Sequence, residues 1–392
     1  MKNMKKSMFI AAIATMVLAG CTKDESIVEQ QEIGFQPLAY KASQTKTETV
    51  DGDESGSASS QQTFDNVITG AFYPVNGPTF GLFAYQLDGV TRGTFDANKA
   101  DAKLYIDNKE VSYESGNWRT NPKSFWPLQG SLTFIAYSPY SEEDKVTHAI
   151  MDVVDANQSR VKASVLTING FQAGTEGQKD LMWSNLSKDN IANSTNYDAD
   201  GLNTTTYKGV PILFNHALCR IKITAKTAED YSGFAIYNLK QIQVVGLKDN
   251  ATLTVTDDAA VWSNVSNDLT TFDFYAPATY KVLSANSDTV TYMNAETAGN
   301  GLLAIPQSLE GVTLKVTYTM TVDPNDQVAD DEVVTETTKT VTLFKRGELE
   351  ALEQNKVYTL NLSISANEIL YSPDVVAWDE TGSGDYTVPE VQ

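Results

Sequence analysis

The chain has 392 residues, with 29 lysines and arginines against 50 aspartates and glutamates, for a formal net charge of -21. That length exceeds what one compact core usually organises, so two domains are expected, and the acidic balance argues against nucleic acid as a partner and against charge-driven binding to anionic lipid. Two cysteines, Cys21 and Cys219, and two histidines, His148 and His216, leave little room for metal or imidazole chemistry.

At the N-terminus, Lys2, Lys5 and Lys6 precede the uncharged apolar run from Met8 to Leu18, which ends in Leu18-Ala19-Gly20-Cys21. The run is shorter than the ~20 residues that cross a bilayer, so residues 1–20 read as a removed signal peptide. The Leu-x-Gly-Cys spacing is that of a bacterial lipoprotein, with Cys21 as the acylated first residue of the mature chain. Each buried CH₂ of an acyl anchor contributes ~0.8 kcal/mol, which makes the lipid chains the membrane contact. With Cys21 acylated, Cys219 has no partner within the chain and no intramolecular disulfide is expected.

Residues 21–31 are polar and read as a tether. Glu32 to Leu38 then alternate polar and apolar, as a strand with one buried face does. Residues 41–63, rich in Thr, Ser, Gly, Asp and Gln, lose all hydrophobic pattern and predict a long exposed loop. From about residue 64, short apolar runs separated by Gly, Pro, Asn and Asp predict strands, among them Thr79 to Tyr85, Leu104 to Ile106 and Ser131 to Tyr137. A second pattern-poor stretch, 186–209, places a domain boundary at 208/209, giving an N-terminal domain over 32–208 and a C-terminal domain over 209–392.

Beyond that boundary the periodicity is cleaner. From Val312 to Val322 every even residue is apolar and every odd one is Thr or Lys, which is period two over eleven residues. Tyr358, Leu360, Leu362 and Ile364 repeat the arrangement, and Ala217, Cys219, Ile221 and Ile223 do so with Arg220 and Lys222 on the other face. The expected fold class is all-β, with two antiparallel sandwiches in tandem.

Reactive chemistry is scarce. His216 and Cys219 lie three residues apart on one strand, so they face opposite ways, and Cys219 points inward as an inert core thiol. The expectation is therefore no catalytic residue, no metal site and no cofactor: no Gly-x-Ser-x-Gly, Walker loop or dinucleotide fingerprint occurs. Asp51-Gly52-Asp53-Glu54-Ser55-Gly56 begins like a calcium loop, but its twelfth position is Gln62 where a bidentate Glu should stand. It reads as a solvated acidic loop, as does Asp323 to Glu332. Trp118, Trp126, Trp183 and Trp262 read as sandwich core, although a surface glycan-binding lipoprotein using them as a sugar platform is an alternative.

The ordered set of local motifs resembles the Mfa-like fimbrillins of Bacteroidetes, in the type V pilin superfamily. The matching pieces are the lipobox at 18–21, Glu32-Ile33-Gly34-Phe35, Phe80 to Tyr85, Trp118 with Phe125-Trp126-Pro127, and Gly130 to Pro139. Asp180 to Trp183, Phe214 to Ile221, Leu303 to Gln307 and Trp378 with Gly382-Ser383-Gly384 complete them. Lys23-Asp24-Glu25 behind Cys21 also resembles the export signal of surface lipoproteins. The resemblance implies two transthyretin-like sandwiches and a structural role in a fimbrium, as a pilus subunit or accessory on the outer face of the cell outer membrane, with cell adhesion as the setting. It implies assembly with other pilin subunits by strand exchange once a trypsin-like protease removes the first strand. Here that strand carries Ile33, Phe35 and Leu38. Arg92 is the first arginine, so an arginine-specific cut is impossible within the loop spanning Lys41 to Gln62, and Lys41 and Lys46 are the basic candidates: either maturation uses another specificity, or this subunit stays uncut and anchored. Residues Ile369 to Gln392 are the candidate donor strand. No host or glycan ligand is named by the resemblance.

Overall fold

A computed structural model of the chain describes residues 31–39, 62–63, 79–89, 94–114, 117–142, 145–174, 180–192, 209–231, 235–286, 288–290, 301–322 and 333–378. Its strands begin with β1 (Phe35–Ala39), β2 (Gln62–Thr63), β3 (Phe80–Leu87), β4 (Lys103–Glu114), β5 (Asn117–Thr120) and β6 (Ser131–Ser138). Next come β7 (Val146–Val154), β8 (Arg160–Gln172), β9 (Met182–Ser184), β10 (Ser187–Asn190), β11 (Val210–His216) and β12 (Cys219–Thr227). Then follow β13 (Ala235–Leu247), β14 (Asn250–Thr256), β15 (Ala259–Ser263), β16 (Thr270–Tyr275), β17 (Lys281–Leu283) and β18 (Asp288–Val290). The last are β19 (Leu302–Ala304), β20 (Thr313–Val322), β21 (Val333–Thr342), β22 (Lys356–Ile364) and β23 (Ile369–Ala377). A single helical turn, α1 (Phe95–Asn98), lies between β3 and β4 and continues into a 3₁₀ turn at Lys99–Asp101.

The first sheet runs β10-β6-β3-β4-β5-β1-β11-β9, and β9 also pairs with β6, so the strands from β6 round to β9 form a closed ring. Closure removes the free edges that an open sheet must protect. Inside the ring, Phe80, Leu82, Ala84, Leu132, Phe134 and Ala136 form one core with Ile33 and Phe35. The alternate residues Phe83, Tyr85, Ile135 and Tyr137 face outward onto a second sheet, β15-β14-β8-β7. With both faces covered, β3 and β6 need apolar residues at nearly every position, which explains their continuous rather than alternating runs.

The remaining strands make a two-sheet sandwich, β18-β12-β22-β23 against β16-β13-β20-β21, around a core that includes Cys219, Leu239, Leu314, Tyr318, Leu360 and Leu362. The even residues Leu314, Val316 and Tyr318 of β20 are buried as the alternation predicts.

Several expectations need correction. Pairing is not antiparallel throughout: β1 runs parallel to β11, and β12 parallel to β22. Alternation reports which face is buried, not the direction of the neighbour. Arg220 lies on the face opposite Cys219, as expected, and is buried there because Trp378 covers that face of β12. The stretch 186–209 is not wholly loop, since Ser187–Asn190 forms β10; its short polar side chains are buried in local hydrogen bonds, such as Asn190 Nδ2 to the Ser187 carbonyl at 2.9 Å. Gln62, expected as the end of the loop, pairs with Ala39 through β2. Apart from these corrections, ladders link the residues on either side of 208/209: β11 belongs to the first ring, and the β14–β15 hairpin pairs with β8 through Thr256↔Val165 and Val255↔Leu166.

Candidate functional site

The segment from Glu32 to Ala39 is built into the first ring rather than laid over it. Phe35 to Ala39 pair in register with Val210 to Phe214, while on the other side Phe35 pairs with Trp118 of β5 and Leu38 and Ala39 pair with β2. Pro37, which has no N–H to offer, falls between the last rung with β5 and the first with β2, the place where a missing donor costs least. Upstream, the Ile33 amide donates to Ser124 O at 2.9 Å, and the Trp126 amide donates to Gln31 O at 2.9 Å. Glu32 pairs with Lys123 at 2.7 Å at the rim, an exposed contact of little energetic weight.

Side chains follow the predicted parity. Ile33 and Phe35 are 0% and 3% exposed. Phe35 meets Phe80 and Phe134 edge to face, with ring centroids 6.3 and 5.5 Å apart, and Phe80 in turn meets Trp118 and Phe214. Such contacts add ~0.5–1.5 kcal/mol each to the burial itself. The backbone of β1 also passes close over Gly209: a β-carbon there would lie 2.8 Å from Gly34 C, Gly34 O and Phe35 N. What results is an apolar seat between β5 and β11 that an extended segment fills, with main-chain partners on both sides. Of the other predicted sites, the backbone of Leu38 is placed opposite Leu213. Cys21, Lys41, Lys46, the acidic stretch from Asp51 and the stretch Asp323 to Glu332 lie outside the described residues.

A second constellation was not legible from spacing. His216, at the end of β11, donates from Nδ1 to Asp180 Oδ2 at 2.6 Å, both side chains being buried. Its ring stacks on Trp378, and the Arg220 guanidinium lies 4.4 Å from the centroid of that indole. Desolvated cation–π contacts of this kind reach ~2 kcal/mol. The Trp378 amide donates to Asn355 O at 2.9 Å, and the Asn355 amide to Leu218 O at 2.9 Å, so the end of β23 is tied to the β11–β12 connection. Members so far apart in sequence leave no local signature; a lone tryptophan closing an amphipathic strand was the one available hint.

Neither histidine is arranged for catalysis. His148 Nε2 lies 2.7 Å from Ser164 Oγ, but Ser164 is fully buried and His148 packs on Phe83 and Tyr85. Burial lowers the His148 pKa to about 4. Cys219 is fully buried beside Ala304 O, and desolvation pushes its thiol far above the ordinary range, so the thiolate a nucleophile needs is suppressed. Trp118, Trp126 and Trp183 are buried and Trp262 is partly buried, its indole N–H donating to Ala217 O at 2.8 Å. Rings so placed offer no stacking platform for a sugar. Among the described residues no group of three or more His, Cys, Asp or Glu is set to hold a metal ion, and no helix is long and apolar enough to cross a membrane.

Comparison with known proteins follows the same direction. A family model described as fimbrillin-like matches residues 76–378. A fimbrial protein from Bacteroides vulgatus superposes with a TM-score of 0.57 at 18% identity, covering 89% of this chain and 99% of that one. The fimbrial anchor protein Mfa2 from Porphyromonas gingivalis aligns at 12% identity over 89% of this chain and 98% of its own, with a TM-score of 0.28 that carries no weight. At such identities the B. vulgatus likeness speaks for the fold alone. No curated protein matches the sequence.

Proposed function

We propose that this chain, which belongs to the fimbrillin-like family, is a structural subunit or accessory of a fimbrium that joins its neighbours by strand exchange. The observation that carries the proposal is the position of β1, paired on both sides and buried between β5 and β11. Losing it would open the ring, uncover the aromatic core and free the edge of β11. A strand from a neighbour restores both, since exposed N–H and C=O groups regain partners while alternate side chains refill the core. Lys41 and Lys46 flank the strand as cleavage sites.

The donor is the tail of another copy. Residues 369–377 are engaged with β22 over nine rungs, so the part available to a neighbour starts after Trp378. Before assembly, acylated Cys21 holds the protein at the outer membrane, with residues 21–31 as the tether. The two domains are taken as 32–208 and 209–392, with β11 and the β14–β15 hairpin of the second completing sheets of the first.

The test is to delete residues 32–40, or to trim at Lys41 to Lys46, and follow the product by gel and size-exclusion chromatography. Ladder-like, heat-resistant oligomers are expected. A stable monomer after loss of the strand would sink the proposal.

A further inference from the structure

We infer that the seat of β1 selects its occupant at one peptide unit, reading an aromatic side chain in the Phe35 slot and bare backbone over Gly209. The inference rests on the strand-exchange reading and goes on to name what an incoming strand must carry.

Two independent features converge on the same place. From the core side, the Phe35 ring meets Phe80 and Phe134, and those rings are themselves braced by Phe214, Trp118 and Trp126. An interlocked aromatic cluster closes poorly around a missing ring, so an aliphatic substitute leaves a void. From the β11 side, Gly209 approaches Gly34 and Phe35 through main-chain atoms, which cannot rotate aside as a side chain would. The Val210 amide then donates to Gly34 O at 2.9 Å, locking the peptide in that position.

Gly209 lets a strand sit this close, and the aromatic slot fixes its register. A slip of one residue turns every side chain to the other face. A slip of two places Ile33 or Pro37 in the slot, and neither has an aromatic ring. β1 therefore has one productive alignment. An exchanged strand must run parallel to β11 and present an aromatic residue at that rung. In the tail 379–392 the sole aromatic is Tyr386, and Val388 stands two residues on, as Pro37 does from Phe35. Tyr386 of a second copy is thus the residue assigned to the slot.

The experiment uses the full chain with a single protease site inserted between residues 41 and 61. After nicking, β1 is held without a covalent link, and native mass spectrometry reports its retention and its displacement by a synthetic 379–392 peptide. Phe35→Ala is expected to weaken retention at least about 100-fold, and Gly209→Val to weaken it comparably. The tail peptide is expected to displace β1, and its Tyr386→Ala form to fail at the same concentration. Gly209→Ala, with a smaller intrusion, and a thermal melt of each variant guard against loss of folding.

Retention undiminished in Phe35→Ala, or in both Gly209 variants, overturns the selection mechanism. Equal displacement by the two peptides overturns the assignment of Tyr386. Neither result touches strand exchange itself, which fails separately if the nicked chain releases β1 and then stays a closed monomer that takes up no peptide.

Discussion

Trp378 lies flat on His216, with ring centroids 3.9 Å apart and planes inclined by 4°. Trp378 directly follows β23 and His216 ends β11, so the contact joins the C-terminal sandwich to the first ring. Trp378 is 1% exposed. Trp378→Ala is expected to cost about 3–5 kcal/mol by removing a large buried ring, and Trp378→Phe markedly less. Urea unfolding of both variants checks the order; equal stability in all three proteins would show that the stack carries no load.

Stability should fall with acid through His148. In the folded protein the ring stays neutral until about pH 4, whereas the unfolded ring takes up a proton near its ordinary 6.5. The contribution is full above pH 6.5 and is lost as pH falls from there towards 4, amounting to roughly 3 kcal/mol at 1.36 kcal/mol per unit. The variant His148→Asn should lose this component of the pH dependence. Parallel urea titrations at pH 7.5 and 4.5, wild type against variant, read the difference directly.

Gly81 lies beneath a buried ring. A β-carbon there would come 2.2 Å from Tyr137 Cε1, and the ring is pinned at its hydroxyl, whose one proton is shared between Asn108 Oδ1 at 2.8 Å and Ser141 O at 3.0 Å while the oxygen accepts from the Ser141 amide at 3.2 Å. Gly81→Ala is expected to destabilise the ring sheet by roughly 1–3 kcal/mol. Unchanged chemical denaturation would mean that the tyrosine moves aside freely.

The two cysteines should behave oppositely. Cys21→Ala is expected to release the protein from membranes, and membrane retention of that variant would remove the lipid anchor from the proposed function. Cys219→Ala should leave location unchanged and cost only what a small buried group contributes, since its thiol touches Ala304 O in the core. Fractionation of cell envelopes reads both variants side by side.

Strand parity was the most legible level. The alternation at 312–322 and 358–364 told which residues face inward, and Ile33 and Phe35 were placed correctly by the same rule. Partner choice was not legible, because period two is the same whether a neighbour runs parallel or antiparallel. Thus β1 with β11, and β12 with β22, came from tertiary structure alone. The burial of Arg220 was not legible for a related reason: alternation sorts side chains between two faces without revealing that Trp378 roofs the second one. The His216–Asp180 pair and the crossing of β14 onto β8 depend on contacts between distant segments, which no local window contains.

The crossing hairpin has a mechanical consequence. In the filament proposed above, tension entering at one end of each subunit would pass through its body to the next. Because β14 lies alongside β8 in a paired ladder, part of that load is shared by hydrogen bonds sheared side by side rather than by the covalent connections β11–β12, β13–β14 and β15–β16 alone. A subunit stitched this way resists being drawn out into two loosely strung beads, and force spectroscopy should find one high rupture event where independent units would give two.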